Sequence, residues 1–274
     1  MSNKLLKNTM KKIIYKNSIT PGYVELKQHM GEDVITQVNA ARASFGVEID
    51  TLTDRDRKLF KTCARDGHTS TMEHNVFTFS FKVPLFVARQ HMRHRTWSFN
   101  EISRRYTDRN LDFYLPNSFR QQSSSNRQAS VLGSETDPTL YTIDGSTLNY
   151  DFKASTLLQN HVQDSLKLYN KMIEAGVCRE QARMVLPQNL YTYYWGTVNL
   201  NNFLKFYELR NHPGAQVEIQ EVASTCMELL EEIIPETIQI YKQAKHEKTL
   251  NIIKSNLKTL DVDELDVLKY FLES

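Results

Sequence analysis

Six arginines lie between Arg89 and Arg109 against two acids, Glu101 and Asp108, a net charge of +4 in 21 residues. The whole chain of 274 residues carries only +2, so this segment is a focused cationic spot. Guanidinium forks match the geometry of phosphate oxygens, which makes a phosphorylated ligand the first chemistry to expect. A solvated helix face would interleave its arginines with glutamates one turn away. Here the neighbours are His94, Trp97, Tyr106 and small polar residues. The order is also distinctive: Arg93-His94-Arg95, seven residues, then Ser103, with Ser98, Asn100, Glu101, Arg105 and Tyr106 close by.

Other chemistries are served less well. Ser103 has no Ser-His-Asp context, so it reads as a binding residue rather than a nucleophile. Cys63, Cys178 and Cys226 show no paired spacing, and none neighbours a histidine as a thiolate nucleophile would require. This sparse, odd count argues against a disulfide framework and for a reducing, cytoplasmic setting. His91 with His94, and His68 with His74, are short spacings without the further ligands of a closed zinc site, so no metal is expected. No Gly-x-Gly-x-x-Gly occurs, which disfavours a Rossmann dinucleotide site. A nucleic-acid-binding reading of Arg89–Arg109 meets the objection that tracking phosphates needs charge spread over a surface, and +2 overall gives little. No apolar run approaches the ~20 residues of a membrane span. The lysine-rich first 16 residues are followed by no apolar stretch of a secretory signal.

The elements that must position these residues follow from pattern. With 40% hydrophobic and 24% charged residues, the composition is that of a globular chain. After an N-terminal tail, short strands are predicted at Ile13-Ile14-Tyr15 and Tyr23–Leu26 about a Pro21-Gly22 turn, then a helix from Glu32 to Phe45 ended by Gly46. Thr53 and Asp56 make a capping-box-like start to a helix that runs to about Asp66 and stops at Gly67. Residues 75–83 alternate, with Phe77, Phe79 and Phe81 on one face, predicting a half-buried strand. Pro84 then opens a helix from Leu85 to about Arg95. Residues 121–149 are polar and turn-rich and read as an exposed insertion. Leu158, Val162, Leu166, Tyr169 and Ile173 form one helical stripe ended by Gly176. Helices are predicted over 202–210 and 215–234, broken by Pro235, and 245–274 reads as a charged helical appendix. Tyr191, Tyr193, Tyr194 and Trp195 are either a stacking wall for a flat ligand or core. Strands early and helices late predict an α+β class, with 1–244 as a single domain.

The Arg-His-Arg-x7-Ser segment resembles the signature of the flavin-dependent thymidylate synthases. The likeness extends to Ala41-Arg42-Ala43-Ser44-Phe45, to Gly67-His68-Thr69-Ser70-Thr71-Met72-Glu73-His74, to Arg183–Pro187 with Asn189–Thr192, and to Asn199, Leu209-Arg210 and Ala215–Ile219. It covers roughly residues 20–240. It implies an α+β fold with a mixed central sheet, and a homotetramer with active sites between subunits. The implied activity converts dUMP to dTMP, with FAD reduced by NADPH and methylenetetrahydrofolate supplying the carbon. By the same resemblance Ser44, Ser70, Glu73, Arg93, His94, Arg95 and Asn199 lie around the flavin, the Arg-His-Arg run serving as a cationic cradle for its pyrophosphate. Gln90, Arg93, Glu101, Ile102, Ser103, Arg104, Arg105, Arg183 and Arg210 match dUMP-binding positions, with Arg105 and Arg183 on the phosphate and Arg210 at the uracil. Arg210 and His68 are the implied catalytic residues. A member that binds the nucleotide without turning it over is disfavoured by the completeness of this set. Three positions depart from the pattern: Thr71 stands where proline is usual, and Lys205 and Gly214 stand where Asn and His contacts to flavin are expected, with His212 two residues away.

Overall fold

The computed structural model describes residues 10–142 and 150–257. The expected tail before Met10, residues 143–149 of the insertion and residues 258–274 of the appendix lie outside the described residues. The chain divides into two compact units. One holds the chain up to His29 with Val76–Leu229, and the other holds Met30–Asn75 with the chain from Leu230 onward.

The first unit is built on β1 (Met10–Ile14), β2 (Gly22–Met30), β3 (Val76–Pro84), α3 (Leu85–His91), β4 (Ser98–Glu101), β9 (Tyr191–Asn199), α6 (Leu200–Arg210) and α7 (Val217–Glu231). The second holds α1 (Ile35–Arg42), α2 (Asp54–Asp66) and α8 (Pro235–Leu257). Between β4 and β9 come β5 (Phe119–Gln122), β6 (Ser130–Thr136), β7 (Thr139–Thr142), β8 (Tyr150–Lys153), α4 (Ala154–Glu174) and the short α5 (Arg179–Ala182).

The sheet order is β1-β2-β3-β9-β4, and β1–β2, β3–β9 and β4–β9 pair antiparallel. β3 forms as its alternation predicts: Phe77, Phe79 and Phe81 are fully buried. Phe81 stacks on Tyr194 of β9 at 4.8 Å between ring centroids. β9 corrects the expectation of a wholly helical second half, because it is the strand between β3 and β4. Tyr, Thr, Trp and Val suit a pleated surface, and Gly196 leaves the space that rings fill. A Cβ there would come within 3.1 Å of both Phe81 and Trp97. Tyr191 and Tyr194 are therefore core, while Trp195 remains 49% exposed.

The class is α+β. Two antiparallel strand pairs, β5–β6 and β7–β8, lie within and at the edges of the expected insertion, and their described residues are mostly exposed.

In the second unit the capping box at α2 is present. Asp56 accepts from the Thr53 amide at 2.9 Å and from its hydroxyl at 2.6 Å, and Arg42 closes on the same carboxylate. The Thr53 hydrogen bond and then Arg42 hold the Asp56 carboxyl at about 2. Gly67 ends the helix in the left-handed region at φ 83°. Asp33 accepts from the Glu236 and Thr237 amides at 3.0 and 2.8 Å, satisfying two donors at the start of α8. Next to it Val34 takes φ 56°, unusual for a β-branched residue. Burial and a hydrogen bond from its amide to the Thr237 hydroxyl hold it there.

Candidate active site

Helix α3 ends at His91, four residues short of the expected Arg95, and Met92 is its cap. The chain then turns tightly: the His94 amide donates to the His91 carbonyl (2.9 Å) and the Trp97 amide to the His94 carbonyl (3.2 Å). The reason is burial. His91 is 0% and Trp97 5% exposed, with ring centroids 4.4 Å apart. A continuous helix would set residues six apart about 120° from each other around its axis. Reversing the chain puts both rings in one aromatic cluster with Phe81, Phe99 and Phe206. It also leaves Arg93, His94 and Arg95 on a turn, with both arginines exposed.

His94 is not a third cation. Burial first, and the Arg210 charge second, push its imidazole down to about 4. Its Nε2 accepts from Arg210 Nε at 2.9 Å, and Arg210 donates a second bond to the Gln90 carbonyl at 3.2 Å. The expected cationic cradle is therefore two arginines around a neutral ring. Burial and then Arg93 lower the Arg210 pKa, so Arg93 lies close enough for its charge to be felt. α3 supplies Gln90, the turn supplies His94, and the C-terminal residue of α6 supplies Arg210. These three expected ligand residues converge, and Phe206 supports them by stacking on His91 at 4.6 Å. His91 itself donates to, or accepts from, the Tyr194 hydroxyl at 2.8 Å. His91 Nδ1 thus meets Tyr194, and His94 Nε2 meets Arg210.

Gln90 is also gripped from the residue just before α7. Its Nε2 donates to Gln216 Oε1, and Gln216 Nε2 donates to Glu218 Oε2 at 2.8 Å. Glu218 is buried, and its other oxygen accepts from Arg120 at 2.6 Å and from the Tyr114 hydroxyl at 3.3 Å. Gln216, Glu218 and Arg120 were not expected at the site. The available signal was two polar residues alternating with Ala215, Val217 and Ile219 at the start of a buried helix.

A second group of expected residues follows β4. The Ile102 amide donates to the Tyr193 carbonyl at 2.8 Å. The Ser103 carbonyl accepts from the amides of Tyr106 and Thr107, and its hydroxyl from the Arg105 amide at 3.3 Å. Arg105 is exposed, pairs with Glu180 at 3.5 Å and lies 5.9 Å from the Tyr106 ring centroid. Arg183 donates to the Glu180 carbonyl at 3.2 Å. The two expected phosphate arginines thus meet on one residue. Arg104 behaves differently. It is 8% exposed and donates to the carbonyls of Arg109 (2.6 Å), Asn110 (3.0 Å) and Tyr191 (3.3 Å). Its guanidinium braces the loop onto β9, which corrects the expectation of a ligand contact by that side chain. Glu101 accepts from Thr192 and edges an open hollow of about 430 Å³ lined also by Tyr23, Lys27, Asn100, Tyr193 and Trp195. Of the four aromatics on β9, Tyr193, Tyr194 and Trp195 line this space, and Tyr194 is itself buried.

Asn199 caps α6, its Oδ1 accepting from the Asn202 amide at 2.9 Å. Lys205 and Gly214 are exposed, and His212 Nδ1 accepts from the Gly214 amide at 3.0 Å. In the second unit Ser44, His68, Ser70 and Glu73 are all exposed on short helical turns. Thr71 is buried, and its hydroxyl donates to the His68 carbonyl at 3.1 Å. The turn is thereby tied by a hydrogen bond where a proline ring is usual. Cys63 and Cys226 are buried and Cys178 is exposed. Burial pushes the Cys63 and Cys226 thiols up, against the demands on a thiolate nucleophile.

Comparison with known proteins shows the family. Residues 25–236 match the model of the thymidylate synthase complementing protein family. A flavin-dependent thymidylate synthase of Thermosipho melanesiensis is 38% identical over 220 residues, 80% of this chain and 90% of that protein. One from Thermus thermophilus is 41% identical over 214 residues, 78% of this chain and 73% of the relative. The chain belongs to the flavin-dependent thymidylate synthase family. Among solved structures, a UMP/dUMP methylase, PolB from Streptomyces cacaoi, bound with 5-Br dUMP, superposes with a TM-score of 0.66 at 28% identity. It covers 81% of this chain and 95% of that one. The family match spans the Arg93-His94-Arg95 turn, the Glu180-centred arginines and Arg210, so the residues that converge in space lie inside the shared region. No described helix is long and apolar enough to cross a membrane.

Proposed function

We propose that the protein converts dUMP to dTMP by flavin-dependent reductive methylation, with FAD as the flavin, NADPH as the reductant and methylenetetrahydrofolate as the carbon donor. The observation that carries this reading is the Gln90–His94–Arg210 arrangement. Arg210 spends one N–H on a neutral imidazole and one on a backbone carbonyl. Its full charge and its remaining N–H groups are kept for a ligand. A guanidinium so held stabilises negative charge developing on a pyrimidine ring, which activates the ring carbon without an enzyme nucleophile.

Arg105 and Arg183 take the monophosphate, displacing the exposed Glu180 contact. Arg93 and Arg95, exposed and unpaired with any carboxylate among the described residues, suit the FAD pyrophosphate. Ser44, Ser70 and Glu73 supply polar contacts of the kind a flavin ring edge takes, and His68 stands with them. A bound flavin supplies the hydride that completes the methyl group. We further propose a cytoplasmic homotetramer with active sites at subunit interfaces.

The test is product formation by a variant with all three cysteines replaced (Cys63→Ala, Cys178→Ser, Cys226→Ala), given dUMP, FAD, NADPH and methylenetetrahydrofolate. Retained dTMP synthesis is expected. A folded but inactive variant contradicts the activation by Arg210.

A further inference from the structure

Glu218 reaches Gln90 through a chain of hydrogen bonds in which each polarity is dictated by the one before. A carboxylate only accepts, so Gln216 must turn its NH2 toward Glu218. Its carbonyl oxygen then faces Gln90, and Gln90 must answer with its own NH2. That leaves the Gln90 Oε1 acceptor as the end turned away from the chain. Arg120 fixes the starting point: its guanidinium and the Tyr114 hydroxyl both donate to Glu218 Oε1. Burial is the largest single influence and pulls the Arg120 pKa down, but the bond to Glu218, the charge of Glu218 and Tyr114 together raise it overall.

We propose that Glu218 and Gln216 are positioning residues that set the amide of Gln90 as an acceptor toward the pyrimidine, and so select uracil over cytosine. The inference rests on the reading of Gln90 and Arg210 as uracil contacts. Arg210 only donates and Gln90, so held, accepts. This pair fits the adjacent carbonyl and N3–H of uracil. Cytosine, held in the same place by its sugar and phosphate, puts an unprotonated N3 against the Gln90 oxygen. Two acceptors then face each other, and a site built for a donor rejects its absence strongly.

The isosteric variant Glu218→Gln reverses the chain. Arg120 still demands an oxygen, so the new amide presents its NH2 to Gln216. Gln216 turns its oxygen to it and its NH2 to Gln90, and Gln90 ends with its own NH2 toward the ring. Equilibrium binding of dUMP and dCMP to the full-length protein saturated with FAD reads this out. Wild type is expected to prefer dUMP by about tenfold or more. In Glu218→Gln the dUMP:dCMP affinity ratio falls by at least about tenfold, and dCMP binds more tightly than it does to wild type. Gln216→Leu, in a partly exposed position, frees Gln90 to turn either way and should bring the ratio close to one. It also decides the matter if Glu218→Gln does not fold. In a Gln90→Leu background, Glu218→Gln should leave the ratio unchanged. A purely structural role predicts parallel weakening of both nucleotides with the wild-type ratio preserved, and that result in either relay variant overturns the proposal. Absence of dUMP binding to wild type overturns instead the underlying assignment of Gln90 and Arg210.

Discussion

Replacing His94 with glutamine keeps an acceptor for Arg210 but removes a titrating ring, and the pH dependence of stability should report the difference. The folded imidazole is pushed from its ordinary 6.5 to about 4, by burial first and Arg210 second. At 1.36 kcal/mol per pH unit this corresponds to about 3.4 kcal/mol. The ring is only half-buried, and halving the figure for solvent screening leaves about 1.5–2 kcal/mol. Between pH 6.5 and 4 the unfolded chain holds a proton on His94 that the folded chain does not. Stability therefore falls as pH falls through this window and is fully present above it. Urea unfolding of wild type and His94→Gln at pH 7.5, 6.0 and 5.0 isolates the effect, because other titrating groups are shared. The stability of wild type relative to the variant should drop by about 1 kcal/mol between pH 7.5 and 5.0. A flat difference, or an NMR titration of His94 centred near 6.5, would refute the neutral acceptor and with it the account of how Arg210 keeps its charge.

Arg104→Met strands three carbonyls, one of them on buried Tyr191. It should cost about 3 kcal/mol in urea unfolding; a loss below about 1 kcal/mol would return this side chain to the ligand-binding set. Arg105→Ala and Arg183→Ala should each weaken dUMP binding by about tenfold or more while leaving binding of the unphosphorylated nucleoside unchanged. Equal weakening of both ligands would remove the two arginines from the phosphate.

What could be read directly from sequence was local. The α2 helix announces itself at both ends through Thr53, Asp56 and Gly67, and β3 through alternating phenylalanines, because caps and periodicity depend on near neighbours. The extent of α3 is not legible in the sequence, because nothing between Arg93 and Arg95 forbids a helix. The stop comes from burying His91 and Trp97 in the same cluster. β4 is four residues long, and β9 is an aromatic run interrupted by Gly196 and flanked by helices, so neither carries a strand pattern strong enough to stand alone. At the site, residue types point to phosphate chemistry and the family resemblance to an arginine at the pyrimidine, but charge and availability do not follow from type. Arg104 and Arg105 are adjacent and identical in kind, yet one is sealed against backbone carbonyls and the other is exposed. His94 is neutral because it is half-buried and because Arg210, 116 residues later in the chain, sets its charge beside the ring. The Arg120–Glu218–Gln216–Gln90 chain likewise joins three distant segments and leaves only a faint trace in any one of them.

The central claim is that a flavin held by this protein passes its reducing equivalents into the methyl group of dTMP. The most direct test is visible absorption of the FAD-loaded protein without oxygen. NADPH should bleach the flavin band, and adding dUMP with methylenetetrahydrofolate, still without oxygen, should restore it as dTMP appears mole for mole. A band that only air restores, with no dTMP formed, would contradict the account.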